Sequence, residues 1–123
     1  MQWNHVGIKT ADIKKSLNFY CDILGLQILQ EVSILGKTFY FVGNDSFSIE
    51  LEEGNPENTQ IDSSNQTGLN HISLTVEDAQ STVQSLKEQG VTILLEPIQT
   101  QPDRWVAFVQ DPDGVFIQFI EYV

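Results

Sequence analysis

Asn4-His5-Val6-Gly7-Ile8 returns further down the chain as Asn70-His71-Ile72-Ser73-Leu74. Each copy opens on an asparagine and a histidine and continues with an apolar residue at every second position. That alternation marks a strand with one greasy face. A second pair of stretches keeps the same order relative to the histidines. Val42-Gly43-Asn44-Asp45-Ser46-Phe47-Ser48-Ile49-Glu50 returns as Val109-Gln110-Asp111-Pro112-Asp113-Gly114-Val115-Phe116-Ile117-Gln118. A repeat of this kind identifies a duplicated structural unit, and either half alone is too short to bury an adequate core. The chain therefore reads as a single domain, 1–123, made of two modules, 1–52 and 69–123. The stretch between them, 53–68, is rich in Asn, Gln, Ser and Thr and reads as a polar linker.

Each module reads as strand, helix and three strands. Residues 3–9 form the first expected strand. Ile13, Leu17, Tyr20, Cys21 and Leu24 recur at helical spacing, so 12–24 is expected as an amphipathic helix, with Gly25 as its left-handed stop. Stretches 26–34, 37–43 and 46–52 are rich in aromatic and β-branched residues and are bounded by Gly36 and Asn44-Asp45, as strands are. The second module gives a strand at 70–76, a helix at 79–89 stopped by Gly90, and strands at 91–96, 104–110 and 115–122. Asp111-Pro112-Asp113-Gly114 is a turn, with proline presetting its second position and glycine freeing its fourth.

Composition narrows the function. The chain has 123 residues, 6 basic and 17 acidic side chains, and a formal net charge of -11. That charge disfavours a nucleic-acid backbone or an anionic membrane, and no apolar run approaches the roughly 18 residues of a bilayer span. The N-terminal Met1-Gln2-Trp3-Asn4-His5 has neither basic lead nor apolar stretch. The single cysteine, Cys21, sits on the apolar stripe of the first helix and reads as packing. The expectation is a cytoplasmic protein with a small-molecule partner.

Strand alternation then sorts the polar groups. Val6 and Ile8 share one face of the first strand, and His5, Gly7 and Lys9 the other. Ile72, Leu74 and Val76 likewise oppose His71, Ser73 and Thr75. In the last strand of each module, Glu50 opposes Ile49 and Leu51, and Gln118 opposes Ile117 and Phe119. The two helices can cover the greasy faces. The other faces carry His5, Glu50, His71 and Gln118, at two equivalent positions per module. Related by an approximate two-fold axis, these four converge into a nitrogen/oxygen shell that suits a borderline divalent ion. A buried Glu50 needs a positive partner, and a cation would supply it. Phe39 and Phe41, or else Tyr40 and Val42, line the same site, and the sequence leaves the two sets open. Glu52 reads as a solvated carboxylate at the strand end. Arg104 and Trp105 open a strand beside the site, where a guanidinium and an indole could hold a carboxylate and a flat apolar group.

At these residues the sequence resembles the vicinal oxygen chelate superfamily, which includes glyoxalase I, extradiol dioxygenases and bleomycin-resistance proteins. The stretches that carry the resemblance are Asn4–Lys9, Phe19-Tyr20 through Leu24-Gly25-Leu26, Ile49-Glu50-Leu51, Leu69–Val76 and Val106–Gly114. It implies an α+β fold in which two tandem βαβββ modules form a cup-shaped mixed sheet with helices on the convex face. It resembles most the bacterial glyoxalase I pattern, whose metal ligands are histidine, glutamate, histidine and glutamate. His5, Glu50 and His71 match the first three, and Gln118 stands where the fourth glutamate would be. The resemblance implies a metal-dependent, lactoylglutathione lyase-like isomerase acting on a small carbonyl compound or its thiol adduct. Its ion would be nickel or zinc, with manganese, cobalt or iron as alternatives. Glu50 would move the proton, because an amide such as Gln118 cannot accept one. Lys9 lies where a basic residue of the family meets a substrate carboxylate, and Arg104 and Trp105 would complete substrate binding. Two other readings use the same fold: a metal-free, resistance-type binding protein and an extradiol-type dioxygenase. The expected assembly is a two-fold homodimer, its modules pairing within or between chains.

Overall fold

A computed structural model describes residues 1–58 and 60–123; Thr59, inside the expected linker, lies outside the described residues. The chain divides into two compact units, Met1–Thr59 and Gln60–Val123. The first contains β1 (Val6–Thr10), α1 (Ile13–Leu17), a π-helical stretch (Asn18–Ile23), β2 (Gln27–Ile34), β3 (Lys37–Gly43) and β4 (Ser48–Glu53). The second contains β5 (His71–Thr75), α2 (Ala79–Glu88), β6 (Thr92–Gln101), β7 (Arg104–Gln110) and β8 (Phe116–Tyr122). The strands order as β1-β4-β3-β2 in one sheet and β5-β8-β7-β6 in the other. In each sheet the first strand runs parallel to the last and the other neighbours are antiparallel. The α+β class and the tandem βαβββ modules expected from the repeat are therefore what the chain forms.

Both helices begin where an aspartate side chain takes up orphan backbone donors. Asp12 Oδ1 accepts from the N–H groups of Lys14 and Lys15 at 3.0 and 3.2 Å. Asp78 Oδ1 accepts from the Ser81 N–H at 2.8 Å, and Glu121 on β8 reaches across to accept from the Ala79 N–H at 2.8 Å. The cores are made as the alternation demands. Ile8, Val42, Ile49 and Leu51 are buried in the first unit with Phe19 and Tyr20. Ala107, Val109, Ile117 and Phe119 are buried in the second with Ala79, Val83 and Leu86. Burying each larger side chain contributes about 2 kcal/mol.

The structure departs from the expected elements in three places. The helix expected over 12–24 is α-helical only through Leu17. Beyond it the Leu24 N–H bonds the Phe19 carbonyl at 2.9 Å, a five-residue step that widens the turn. The buried positions are Ser16, Phe19 and Tyr20, so of the expected apolar stripe only Tyr20 is fully buried. Strand β6 runs on past residue 96 through Pro97. Its register to β7 jumps between Leu95 and Ile98, so Pro97 sits in a bulge of an edge strand, where its missing N–H leaves no ladder bond unmade.

The third departure concerns the end of the expected linker, which belongs to the second unit. Gln60 Nε2 donates to the Pro112 carbonyl at 3.0 Å, and the Ile61 N–H to the Asp113 carbonyl at 3.0 Å. These contacts anchor it to the Asp111–Gly114 turn, where Asp111 Oδ1 accepts from the N–H groups of Asp113 and Val115. Gly114 has φ of +91°, and a Cβ there would lie 2.6 Å from the Ile61 carbonyl oxygen. The turn glycine is thus required twice, by its backbone angle and by the segment lying over it.

Among the described residues the hydroxyl of Ser16, fully buried in α1, has no hydrogen-bond partner. A desolvated, unpaired hydroxyl costs about 1–3 kcal/mol, and alanine is also the better helix former. Ser16→Ala is expected to stabilise the protein by about 1 kcal/mol, read as a higher urea midpoint at unchanged slope.

Candidate active site

His5 lies at the head of β1, and Gly7, two residues on, is in register with Glu50 of β4. Histidine and glutamate therefore share a face, and their side chains meet, with His5 Nε2 3.6 Å from Glu50 Oε2. The other ring nitrogen, Nδ1, lies 2.5 Å from Asn4 Oδ1. The ring stands edge-on to Phe41 at 5.1 Å between centroids. Phe41 is itself in register with Glu50, so Phe39 and Phe41, not Tyr40 and Val42, share the face of this pair.

The second unit repeats the arrangement. Ser73 of β5 is in register with Gln118 of β8, as Gly7 is with Glu50, which puts His71 and Gln118 on one face. His71 Nδ1 lies 2.8 Å from Asn70 Oδ1, and its ring stands edge-on to Phe108 at 5.3 Å. Phe108 is in register with Gln118. Here the amide orientation is fixed from outside, because Asn70 Nδ2 donates to the Ser63 carbonyl at 2.9 Å. The amide oxygen must then face the ring, so His71 Nδ1 is the donor, and in the neutral ring Nε2 carries the lone pair. The same Asn-His pair in the first unit sets Asn4 Oδ1 against His5 Nδ1, which favours the same Nδ1 donor. An outer hydrogen bond that fixes the tautomer and leaves the opposite nitrogen available is how proteins orient metal-binding imidazoles. In the first unit that nitrogen faces a carboxylate oxygen. Two electron-rich atoms aimed at each other are stable with positive charge between them.

Each unit thus holds two donors on one sheet face. Among the described residues no three His, Cys, Asp or Glu side chains gather into a ready-made metal cluster. Lys9 is on the same face as His5 and Glu50, two residues along, and its ammonium lies 4.0 Å from Glu52 Oε1. Glu52 is not the freely solvated carboxylate expected at a strand end. Its side chain is 25% exposed and also lies 3.5 Å from Lys37 Nζ. Arg104 is in register with Tyr122, on the Gln118 face, with its guanidinium 5.1 Å from the Tyr122 ring centre. Its Nε donates to Asp103, which holds the guanidinium above its ordinary pKa. Trp105 is placed elsewhere. It is in register with Glu121, whose carboxylate caps α2, so the indole belongs to the helix side of the sheet. Sequence neighbours on a strand face opposite ways, so Arg104 and Trp105 do not line one surface. Cys21 is half-buried, and burial, then Asp22, pushes its thiol pKa up, against a nucleophilic role.

Sequence reasoning passed over Asn4, Asn70, Phe108 and Lys37, and left Phe41 in one of two open sets. The asparagines had left a signal, since each precedes a histidine in both copies. The phenylalanines required the β3–β4 and β7–β8 registers.

A duplicated β1-β4-β3-β2 sheet, each copy opening on an Asn-His pair that shares a face with a Glu or Gln on its parallel neighbour, defines a tandem-module protein with a matching polar pair in each unit. The chain belongs to the Glyoxalase/Bleomycin resistance protein/Dioxygenase superfamily, whose family model matches residues 2–119. It is 37% identical to a probable lactoylglutathione lyase of Synechocystis over 95% of this chain and 92% of that one. It is 34% identical to a lactoylglutathione lyase of Neisseria meningitidis over 98% and 91%. Among solved structures it is similar to glyoxalase I from Zea mays, with a TM-score of 0.81 and 25% identity, over 97% of this chain and 44% of that one. These relatives support a glyoxalase-type enzyme. Among the described residues no helix is long and apolar enough to cross a membrane.

Proposed function

We propose that the protein is a metal-dependent isomerase of the lactoylglutathione lyase type, converting the hemithioacetal of a small 2-oxoaldehyde into a 2-hydroxyacyl thioester. The matched Asn-His pairs carry this reading. In each unit they leave an imidazole Nε2 on the face that also bears Glu50 or Gln118. His5, Glu50, His71 and Gln118 would hold the ion, and the donor set fits one: two neutral imidazoles, a carboxylate and an amide oxygen suit nickel or zinc. When bound, such an ion polarises two adjacent substrate oxygens.

Glu50 takes the proton from the carbon bearing sulfur and returns it to the neighbouring carbonyl carbon, while the hydroxyl proton passes from the oxygen of the first carbon to that of the second, so the thioester carbonyl and the new hydroxyl form together and no external oxidant or reductant is consumed. It is the one carboxylate of the four. Asn4 and Asn70 keep the imidazoles in the tautomer that leaves Nε2 free. Phe41 and Phe108 wall the rings with apolar edges and limit water around the migrating proton. Lys9 orients an anionic substrate. The half-sites pair within one chain or across a two-fold homodimer, and both arrangements use the same four residues.

Protein purified without chelator is expected to carry one divalent ion for each His5/Glu50/His71/Gln118 set, read by elemental analysis. Nickel or zinc added to stripped protein at a hundredfold excess over its dissociation constant is expected to stabilise it by about 2.7 kcal/mol. No bound ion and no thermal shift would overturn the metal-dependent reading.

A further inference from the structure

We infer that the segment Gln60–Ser63 is a positioning strap for His71, with Gln60 and Ser63 as its positioning residues: it sets the Asn70 amide from outside and so holds His71 ready to ligate. The inference rests on the metal-dependent reading for the use made of His71, and adds to it a role for the polar stretch between the two repeats.

That stretch is polar in composition, yet its end is seated. Gln60 Nε2 and the Ile61 N–H donate to the carbonyls of Pro112 and Asp113. Just beyond, the chain winds on itself. The Gln66 N–H donates to the Asp62 carbonyl at 2.9 Å, and the Asp62 N–H to Gln66 Oε1 at 3.0 Å. Ser63 lies among these ties. It is 5% exposed, while Asp62 and Ser64 on either side are exposed. A buried hydroxyl is costly without a partner, and this one donates to the Gly114 carbonyl in a long bond of 3.4 Å. The Ser63 carbonyl accepts from Asn70 Nδ2 at 2.9 Å.

These contacts close a circuit. Asn70 immediately precedes His71, and its Oδ1 lies 2.8 Å from His71 Nδ1. Gly114 lies two residues before Phe116, the strand partner of His71. From the imidazole the path runs through Asn70 to Ser63, on to Gly114, and back along the start of β8 to the partner of His71. The circuit holds the amide in one of its two orientations. An amide free to turn over would present its NH2 to Nδ1 as readily as its oxygen, and the neutral ring would then carry its proton on Nε2. Nε2 is the nitrogen that must be unprotonated to bind an ion, so the strap makes His71 a ready ligand before any ion arrives.

The double variant Gln60→Ala/Ser63→Ala removes both side-chain ties of the strap and leaves Asn70 and His71 in place. His5, in the other unit and paired with its own Asn4, is the reference ring in the same molecule. The first readout is the tautomer of each histidine in the full, metal-free chain, taken from two-bond proton–nitrogen NMR of histidine-labelled protein at a pH where both rings are neutral. His71 is expected to carry its proton on Nδ1 in the wild type and to shift toward Nε2–H, the form a free imidazole favours, in the double variant. His5 is expected to stay as it is. The second readout is zinc affinity, by competition with a chromophoric chelator. It is expected to fall about tenfold in the double variant, the low end of the range for outer partners of metal-binding histidines. A wild-type His71 protonated on Nε2, an unchanged His71 tautomer in the double variant, both rings shifting together, or undiminished zinc affinity despite the shift would overturn the inference. Because the tautomer is read without metal, a selective shift of His71 in a protein that binds no zinc would defeat the metal-dependent reading and leave the strap standing.

Discussion

Glu50→Gln is expected to lower the isomerase rate by about a thousandfold while leaving the fold intact. General-base catalysis contributes typically 10²- to 10⁴-fold, and with both imidazole Nε2 atoms committed to the ion Glu50 is the one group of the four left to accept a proton from carbon. Gln118 cannot take over, since its amide oxygen is a weak base. The substitution is nearly isosteric at a side chain that is 26% exposed, and the core residues Ile49 and Leu51 face the other way, so unfolding is expected to move little. A carboxylate lost from the shell also loosens the ion. Elemental analysis of the variant must therefore accompany the kinetics, with rates taken under saturating nickel. A drop in kcat at full metal occupancy locates the loss in proton transfer. A variant that keeps more than a tenth of the wild-type kcat would remove Glu50 from the role of base. The same measurement on Glu52→Gln serves as comparison, because that carboxylate lies on the same face but is engaged by Lys9 and Lys37.

Much of this was legible in the chain, and what was not has definite causes. The duplicated Asn-His-led strand announced two copies of one unit, and alternation placed His5 with Glu50 and His71 with Gln118 on their respective faces before any register was known. That works because a strand's period of two is rigid. The helix after β1 was less legible. Ser16 is polar and Phe19 lies beside the stripe drawn through Ile13, Leu17 and Tyr20, so the apolar pattern passed over both, although both are buried. The segment around Ile61 looked like solvated linker because its composition is polar, whereas its attachment to Asp113 is a backbone hydrogen bond, to which composition is blind. Lys37 and Glu52 were invisible as a pair. They are brought together by the β3–β4 register, and a hairpin register depends on turn geometry as well as on pattern. Trp105 was misplaced beside Arg104 for want of the alternation rule that had served elsewhere.

The near identity of the two half-sites leads to the remaining prediction. Gly7 is to Glu50 as Ser73 is to Gln118, Phe41 and Phe108 occupy the same register slot, and each histidine is held through Nδ1 by its own asparagine. Under the four-ligand proposal a carboxylate at 118 would stand to the ion and substrate much as one at 50 does. Gln118→Glu alone is expected to raise kcat, by about tenfold where a second base assists the return of the proton. The sharper test is the exchange. In the double variant Glu50→Gln/Gln118→Glu the carboxylate has moved to the other unit with the net charge unchanged. Activity is expected to recover by about a hundredfold over Glu50→Gln alone, because the base is restored on the opposite side of the same reacting carbons. The stereochemistry of the product is the second readout. A base delivering the proton from the other side favours the opposite configuration at the new hydroxyl-bearing carbon, which chiral chromatography of the hydrolysed thioester resolves. Failure of the exchange to recover any rate, with metal bound, would mean that the two units are alike in structure but do not serve one reaction centre.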